Sequence, residues 1–219
     1  MRKYNIEAMK YKAIIFDLDG TLLDSVATIV TVTRTTLESM GIDLDDATMR
    51  NAIGVPLAVQ AKWFAPGREQ DFINRYRAAY IEQGGHTSKL FPGTKEMLTT
   101  LRSRGCATGI VTAKNAKGTN RAIEMSDMAD LFDCVVTADD VTEHKPHPAP
   151  VYKAMEVLGV TADQSLYVGD SIFDVHMAQH AGMAMVGVSW GARSREELMV
   201  NGSNKVVDDW EQFLRLIDD

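Results

Sequence analysis

Two aspartates, Asp17 and Asp19, follow a short apolar run, Ala13-Ile14-Ile15-Phe16, and lead into Gly20-Thr21. Residues two apart on an extended chain share a face, so the two carboxylates are presented together. Three further polar clusters each come after an apolar run of the same kind. Thr112-Ala113-Lys114 follows Thr108-Gly109-Ile110-Val111, and Lys145-Pro146 lies in the loop beyond Cys134-Val135-Val136-Thr137. Gly169-Asp170-Ser171, with Asp174 three residues on, follows Leu166-Tyr167-Val168. Carboxylates gathered at one place repel and raise one another's pKa unless a cation lies among them. Mg²⁺ suits such a set, because it takes hard oxygen ligands from few protein carboxylates and leaves its other positions to water and phosphate. A lysine and a threonine hydroxyl facing the same point fit a phosphoryl group better than a carbonyl. The chemistry this predicts is metal-assisted phosphoryl transfer.

The elements that must position these residues are short strands alternating with helices. The apolar runs are too short for helices and mostly apolar throughout, as strands buried on both faces of a parallel sheet are. Ala184–Val188 adds another, and Lys205-Val206-Val207 reads as an edge strand. Between them, Val151, Ala154, Met155 and Leu158 keep a helical spacing after a proline-rich start, with Gly159 as the stop. Met97, Leu98 and Leu101 do the same after Thr94, before Gly105. This alternation predicts an α/β fold with a mostly parallel, Rossmann-like sheet, whose ligand crevice lies beyond the carboxyl ends of the strands. One stretch departs from it. From about Ser25 to Lys89 there are only helical patterns, broken at Gly41, Gly54-Val55-Pro56, Pro66-Gly67 and Gly84-Gly85. The expected organisation is an α/β core of residues 9–24 and 90–219, with a helical cap domain of residues 25–89 inserted after the first strand.

Asp17-Leu18-Asp19-Gly20-Thr21, Thr112, Lys145-Pro146 and Gly169-Asp170-Ser171-Ile172-Phe173-Asp174 resemble, in order, the four motifs of the haloacid dehalogenase superfamily. The resemblance runs from Lys12 to about Asp209. It implies that Asp17 is a nucleophile forming an aspartyl-phosphate. Asp19 is then the acid that protonates the leaving oxygen and the base that activates water. It also implies phosphate contacts from Thr112 and Lys145, and Mg²⁺ bound by Asp17, Asp170 and the main-chain oxygen of Asp19. Gly20, Ala113 and Lys114 are further candidates for the phosphate or substrate from their places beside these residues, Lys114 reading equally as surface charge. Asp174, with Ser171 beside it, would order Lys145 and the metal waters. The dehalogenases proper usually lack the second acid of the first motif, so Asp19 points to a phosphatase. Val136-Thr137-Ala138-Asp139-Asp140-Val141, Lys145-Pro146-His147-Pro148-Ala149-Pro150 and Thr112-Ala113-Lys114 look like phosphoglycolate phosphatases and the related bacterial pyrophosphatases. A β-phosphoglucomutase-like mutase is the alternative, although its relatives commonly carry a histidine ten residues after the general acid, where Ile29 stands here. A binding protein with a silent site is the alternative of another class; the intact acids argue against it.

Plainer readings stand beside several of these residues. Asp24 reads as the cap of the helix beginning near Ser25. Gly20 either lets backbone N–H groups approach a phosphate or is simply a turn residue. His144 and His147, without a cysteine partner, make a poor zinc site, and the 12 methionines read as core filler. Gly54-Val55-Pro56-Leu57 reads as a loop that descends over the site and sets specificity.

The 219 residues carry 23 basic and 30 acidic side chains, a net charge of −7. That balance leaves no surplus of cations for a nucleic-acid backbone or an anionic membrane. A chain of this length buries about 70–75% of its unfolded surface and needs no disulfide, so Cys106 and Cys134 read as reduced, buried thiols. No apolar run reaches the ~20 residues of a membrane span. Residues 1–8 read as a loose prefix to Met9, an alternative start, and not as a signal peptide. The expectation is a cytoplasmic enzyme, monomer or homodimer, acting on a small phosphorylated metabolite.

Overall fold

Four consecutive buried apolar residues, Ala13–Phe16, form strand β1 at the middle of the molecule. The protein is described by a computed structural model covering residues 10–85 and 88–218; the expected prefix before Met9 lies outside the described residues. β1 is hydrogen-bonded in parallel to β4 (Ala107–Val111) on one side and to β6 (Ser165–Gly169) on the other. β5 (Cys134–Val136) extends the sheet beyond β4, and β7 (Ala184–Val188) and β8 (Lys205–Val207) extend it beyond β6. The sheet has six strands in the order β5-β4-β1-β6-β7-β8, so the weak run Lys205-Val206-Val207 is an edge strand, as expected.

Alternate residues of each strand face opposite ways, and both sides are apolar. Ile14, Phe16, Leu166, Val168, Val186 and Val188 belong to one core, together with Leu98 and Leu101 of α5 (Thr94–Ser103) and Trp210 and Phe213 of α10 (Trp210–Asp218). Ile15, Tyr167 and Met185 belong to the other. That core is closed by Val151 and Ala154 of α7 (Ala149–Leu158), Met177 of α8 (Ile172–His180) and Leu198 of α9 (Arg195–Val200). Helices on both faces explain why the strands read as unbroken apolar runs. α7 ends at Gly159, whose φ of 66° is the left-handed conformation that stops a helix. α6 (Ala116–Met125) follows β4 and is capped by the Asn115 side chain.

A third apolar core gathers Ile53 with Val30, Leu37, Met49, Phe64 and Phe72, the last five from four consecutive helices. These are α1 (Val26–Ser39), α2 (Asp46–Asn51), α3 (Leu57–Phe64) and α4 (Glu69–Glu82). They lie in sequence between two two-residue strands, β2 (Leu23–Asp24) and β3 (Lys89–Leu90), which pair antiparallel. Two residues carry no periodicity, so this pair is invisible to a pattern search. The N-cap of α1 is Ser25, while Asp24 is exposed in β2. The capping expected of Asp24 is therefore not made.

Strand order turns at β1. The chain leaves β1, later forms β4 on one side of it and β6 on the other, and opens a crevice at their carboxyl ends. Such a switch point is where parallel sheets bind ligands.

Candidate active site

Asp17 takes the first position beyond β1 and continues its ladder, its N–H donating to the Val168 carbonyl at 2.9 Å. Its side chain meets Lys145, which arrives from the loop after β5. The Lys145 ammonium donates to Asp17 Oδ1 at 2.8 Å and to Asp174 Oδ1 at 2.7 Å, and all three residues are buried. Asp174 is fixed by the start of α8. Ser171 is the N-cap, and its N–H and hydroxyl donate to Asp174 Oδ2 at 3.0 and 2.6 Å. The reciprocal bond, from the Asp174 N–H to the Ser171 hydroxyl, completes a capping box. Tyr167, on the β6 face shared with Ile15, brings its hydroxyl to 3.0 Å from Asp174 Oδ1 and 3.1 Å from the Val111 carbonyl.

Asp170 is buried one residue beyond β6. Its oxygens accept from the Thr21 hydroxyl at 3.0 Å and from the Ala192 N–H at 2.6 Å. Gly20 and Gly191 flank it, and a Cβ at either position would overlap the Asp170 carboxylate. Gly20 has a φ of 83° and donates its N–H to the Leu23 carbonyl. It therefore supplies a turn and space for Asp170, and its own donor is spent within the turn.

Asp19 stands apart from this group. Its two oxygens accept from the Ser25 hydroxyl at 2.8 Å and from the Lys114 ammonium at 2.7 Å. Thr112 is buried at the end of β4, where its hydroxyl oxygen accepts the Lys114 N–H at 3.2 Å. Ala113 lies half-buried between them. The structure thus brings Asp17, Lys145, Asp170, Asp174 and Ser171 into one cluster, with Asp19, Thr112, Ala113 and Lys114 in the loops after β1 and β4.

Oxygen atoms of Asp17, Asp170 and Asp174 lie within 4.8 Å of one another, all three buried. Lys145 is the ammonium bonded within this group, so its carboxylates outnumber its cations. The imbalance shows in their acidity. Burial pushes Asp17 up to about 7; Lys145 opposes the rise and Asp174 adds to it. Burial, then the charges of Asp17 and Asp174, holds Asp170 well above the carboxylate range. Buried, hard-oxygen donors with excess negative charge fit a divalent cation such as Mg²⁺. The side chain of Asp19 is not part of this set, which leaves its main-chain oxygen as the atom it could offer.

A family model described as haloacid dehalogenase-like hydrolase matches residues 14–188, most of the chain. The chain belongs to that family. The similar relatives include a phosphoglycolate phosphatase from Yersinia pseudotuberculosis, 31% identical with 95% of each chain covered. A pyrophosphatase from Anoxybacillus flavithermus is 30% identical over 95% of this chain and 98% of its own. Among solved structures, a hydrolase from Pseudomonas syringae superposes with a TM-score of 0.86 at 26% identity, covering 94% of this chain and 98% of that one. The expected enzyme class, a phosphatase, agrees with the names these relatives carry.

Sequence reasoning missed several residues of this hydrolase's site. Tyr167 and Thr21 bond the acids directly, yet each is hidden in an apolar or turn context. Arg193, in the loop after β7, is buried and reaches Asn51 at the end of α2, donating to its side-chain and main-chain oxygens. This ties the four-helix segment to the loop whose Ala192 N–H holds Asp170. Tyr80 of α4 brings its ring centroid to 5.2 Å from the Lys114 ammonium. No pattern marked either cross-connection, since both join residues more than thirty apart. Among the described residues no helix is long and apolar enough to cross a membrane.

Proposed function

We propose that this chain is a Mg²⁺-dependent phosphatase that hydrolyses a small phosphorylated metabolite, of the phosphoglycolate or pyrophosphate kind, through a phosphoaspartate on Asp17. The observation that carries the reading is the division of labour between two aspartates two residues apart. Asp17 is buried and gripped by Lys145, whereas Asp19 is held outside the acidic cluster by Ser25 and Lys114.

Lys145 occupies Asp17 Oδ1, and the other carboxylate oxygen attacks phosphorus as the bond to the leaving oxygen breaks. Asp19 gives that oxygen its proton. Asp19 then takes a proton from water, whose oxygen attacks phosphorus; the bond to Asp17 breaks and phosphate leaves. Lys145 and the Thr112 hydroxyl offset the charge on the transferring oxygens, where preorganised donors act most strongly. Asp17, Asp170 and the main-chain oxygen of Asp19 would hold Mg²⁺, whose charge would let an anionic carboxylate approach an anionic phosphoryl group. Asp174 holds Lys145 in place and is itself held by Ser171 and Tyr167.

The segment 25–89 acts as a cap over a core of residues 9–24 and 90–219. Supporting this are its own apolar core and its attachment through the β2–β3 pair. Gly54 rests on Ser171 and Phe173, where a Cβ would collide with both; this supports Gly54–Leu57 as the specificity loop. Ile29 packs in the apolar core of the segment, which supports hydrolysis over a mutase that uses an acid–base group there. The test is phosphate release from phosphoglycolate, pyrophosphate, sugar phosphates and nucleotides, with Mg²⁺ and with chelator. Release that needs Mg²⁺, centres on one or two compounds and vanishes in Asp17→Asn is expected. Appreciable turnover by Asp17→Asn defeats the nucleophile assignment.

A further inference from the structure

Lys114 is fixed along its whole length. Its N–H donates to the Thr112 hydroxyl, and its carbonyl accepts from the Ala138 N–H at 3.0 Å. Its stem passes Gly118, where a Cβ would stand 3.2 Å from Lys114 Cγ. The ammonium ends against Asp19 Oδ2 at 2.7 Å and 5.2 Å from the centre of the Tyr80 ring. Tyr80 is equally constrained. It stacks on Tyr76 with centroids 6.0 Å apart and planes 19° from parallel, and Tyr76 in turn packs on Phe72 at 6.1 Å. Gly85 backs the ring, which a Cβ there would strike. Burial alone would pull the Lys114 ammonium down, but Asp19, Tyr80 and Tyr76 outweigh it and hold the group above its usual range, so it is a cation at neutral pH.

On the phosphatase reading, the transferred group lies against Asp17 and Lys145, with its leaving oxygen at Asp19. The substituent on that oxygen is then next to the ammonium bonded to Asp19. Lys145 is committed to Asp17 and Asp174; Lys114 is the ammonium on the leaving-group side. An ammonium has three donors. Asp19 and the Tyr80 ring engage two directions, and a third can meet a substrate anion.

We propose that Tyr80, from the helical segment, is a specificity-determining positioning residue: its ring holds the Lys114 ammonium on the leaving-group side of the site, so the enzyme selects small phosphate compounds whose leaving group carries a second negative charge. The proposal rests on the phosphatase reading and narrows its substrate class. An aromatic face attracts a cation more strongly as the two are withdrawn from water, and here both are partly buried, the Lys114 side chain being 14% exposed.

The test compares the wild type, Tyr80→Phe and Tyr80→Leu on phosphoglycolate and on 2-hydroxyethyl phosphate, a neutral-tailed ester of similar length. Calorimetry in parallel measures binding of 3-phosphonopropionate and propylphosphonate, which carry the same two kinds of tail and no ester to hydrolyse. The wild type is expected to favour the anionic member of each pair. Tyr80→Leu should cut that preference roughly tenfold, chiefly through KM and Kd, the size of a partly desolvated cation–π contact. Tyr80→Phe keeps the ring and loses the hydroxyl, which also interacts with the Lys114 ammonium, so its preference should fall between those of the wild type and Tyr80→Leu. A folded Tyr80→Leu protein with unchanged preference overturns the proposal, as does a Tyr80→Phe protein impaired as badly as Tyr80→Leu. Equal binding of the two phosphonates by the wild type also overturns it. If neither ester is hydrolysed while the phosphonate preference persists and depends on Tyr80, the reaction assignment fails and the selectivity assignment stands.

Discussion

Replacing Lys145 by methionine keeps an unbranched side chain, one atom shorter, and removes the ammonium that Asp17 and Asp174 share. Removing one partner of a buried pair leaves an uncompensated charge and costs about 3–5 kcal/mol. For a chain of this size that corresponds to a fall in Tm of roughly 6–20 °C. The loss depends on pH in a definite direction. Asp17 already has its pKa raised to about 7, against the pull of Lys145. A carboxyl with a raised folded-state pKa holds its proton when folded and loses it when unfolded. Its stability contribution is therefore complete below the unfolded value, about 4, and is lost as pH rises through the folded value. Without Lys145 the folded value rises further, so the losing window extends above neutrality. The gap in Tm between the wild type and Lys145→Met, measured by calorimetry in chelator, should stay level from pH 5 to about pH 6, where Asp17 is protonated in both folded proteins, and widen from about pH 7 to pH 8. A gap that is flat across this range, or below about 2 °C at pH 8, would refute the charge argument; loss of phosphate release alone would not rescue it.

The same cluster makes metal binding proton-linked: Mg²⁺ should raise Tm more at pH 8 than at pH 5, because at low pH it must displace protons from Asp17 and Asp170. Equal shifts at both pH values, read in matched ionic strength, would count against those acids as ligands. Gly20→Ala forces a side chain into a left-handed residue beside Asp170. The backbone term alone is about 1–2 kcal/mol, so a lower urea midpoint and weaker Mg²⁺ affinity are expected. Asn51→Ala withdraws a partner from the buried Arg193 guanidinium and should cost about 1–3 kcal/mol. Hydrogen exchange should show the added opening in residues 46–57, next to the lost contact.

The motifs were legible because strand ends in a parallel sheet all open on one crevice, so polar residues placed there need no further pattern to be brought together. Asp17, Thr112, Lys145 and Asp170 follow their strands as read. The alternation of apolar faces was legible too, since Ile14 and Ile15 enter different cores. The two-residue strands β2 and β3 were not, and without them nothing local separates Asp24 from Ser25 as the cap of α1, the position that Ser25 holds. Asp174, an ordinary helix acid by itself, becomes a buried partner of Lys145 only through the turn at Ser171.

The order and kind of the chemical groups were set by the chain alone: two acids two residues apart after the first strand, a hydroxyl and a lysine later, and an acid pair at a helix start. Those are local facts, fixed by strand geometry and capping. Which carboxylates share a charge, and which stands apart with Lys114, was decided by the tertiary structure. So were the bridges from Tyr80 to Lys114 and from Asn51 to Arg193. Such contacts depend on how the helical segment packs over the sheet, and packing between distant segments leaves no period in a sequence.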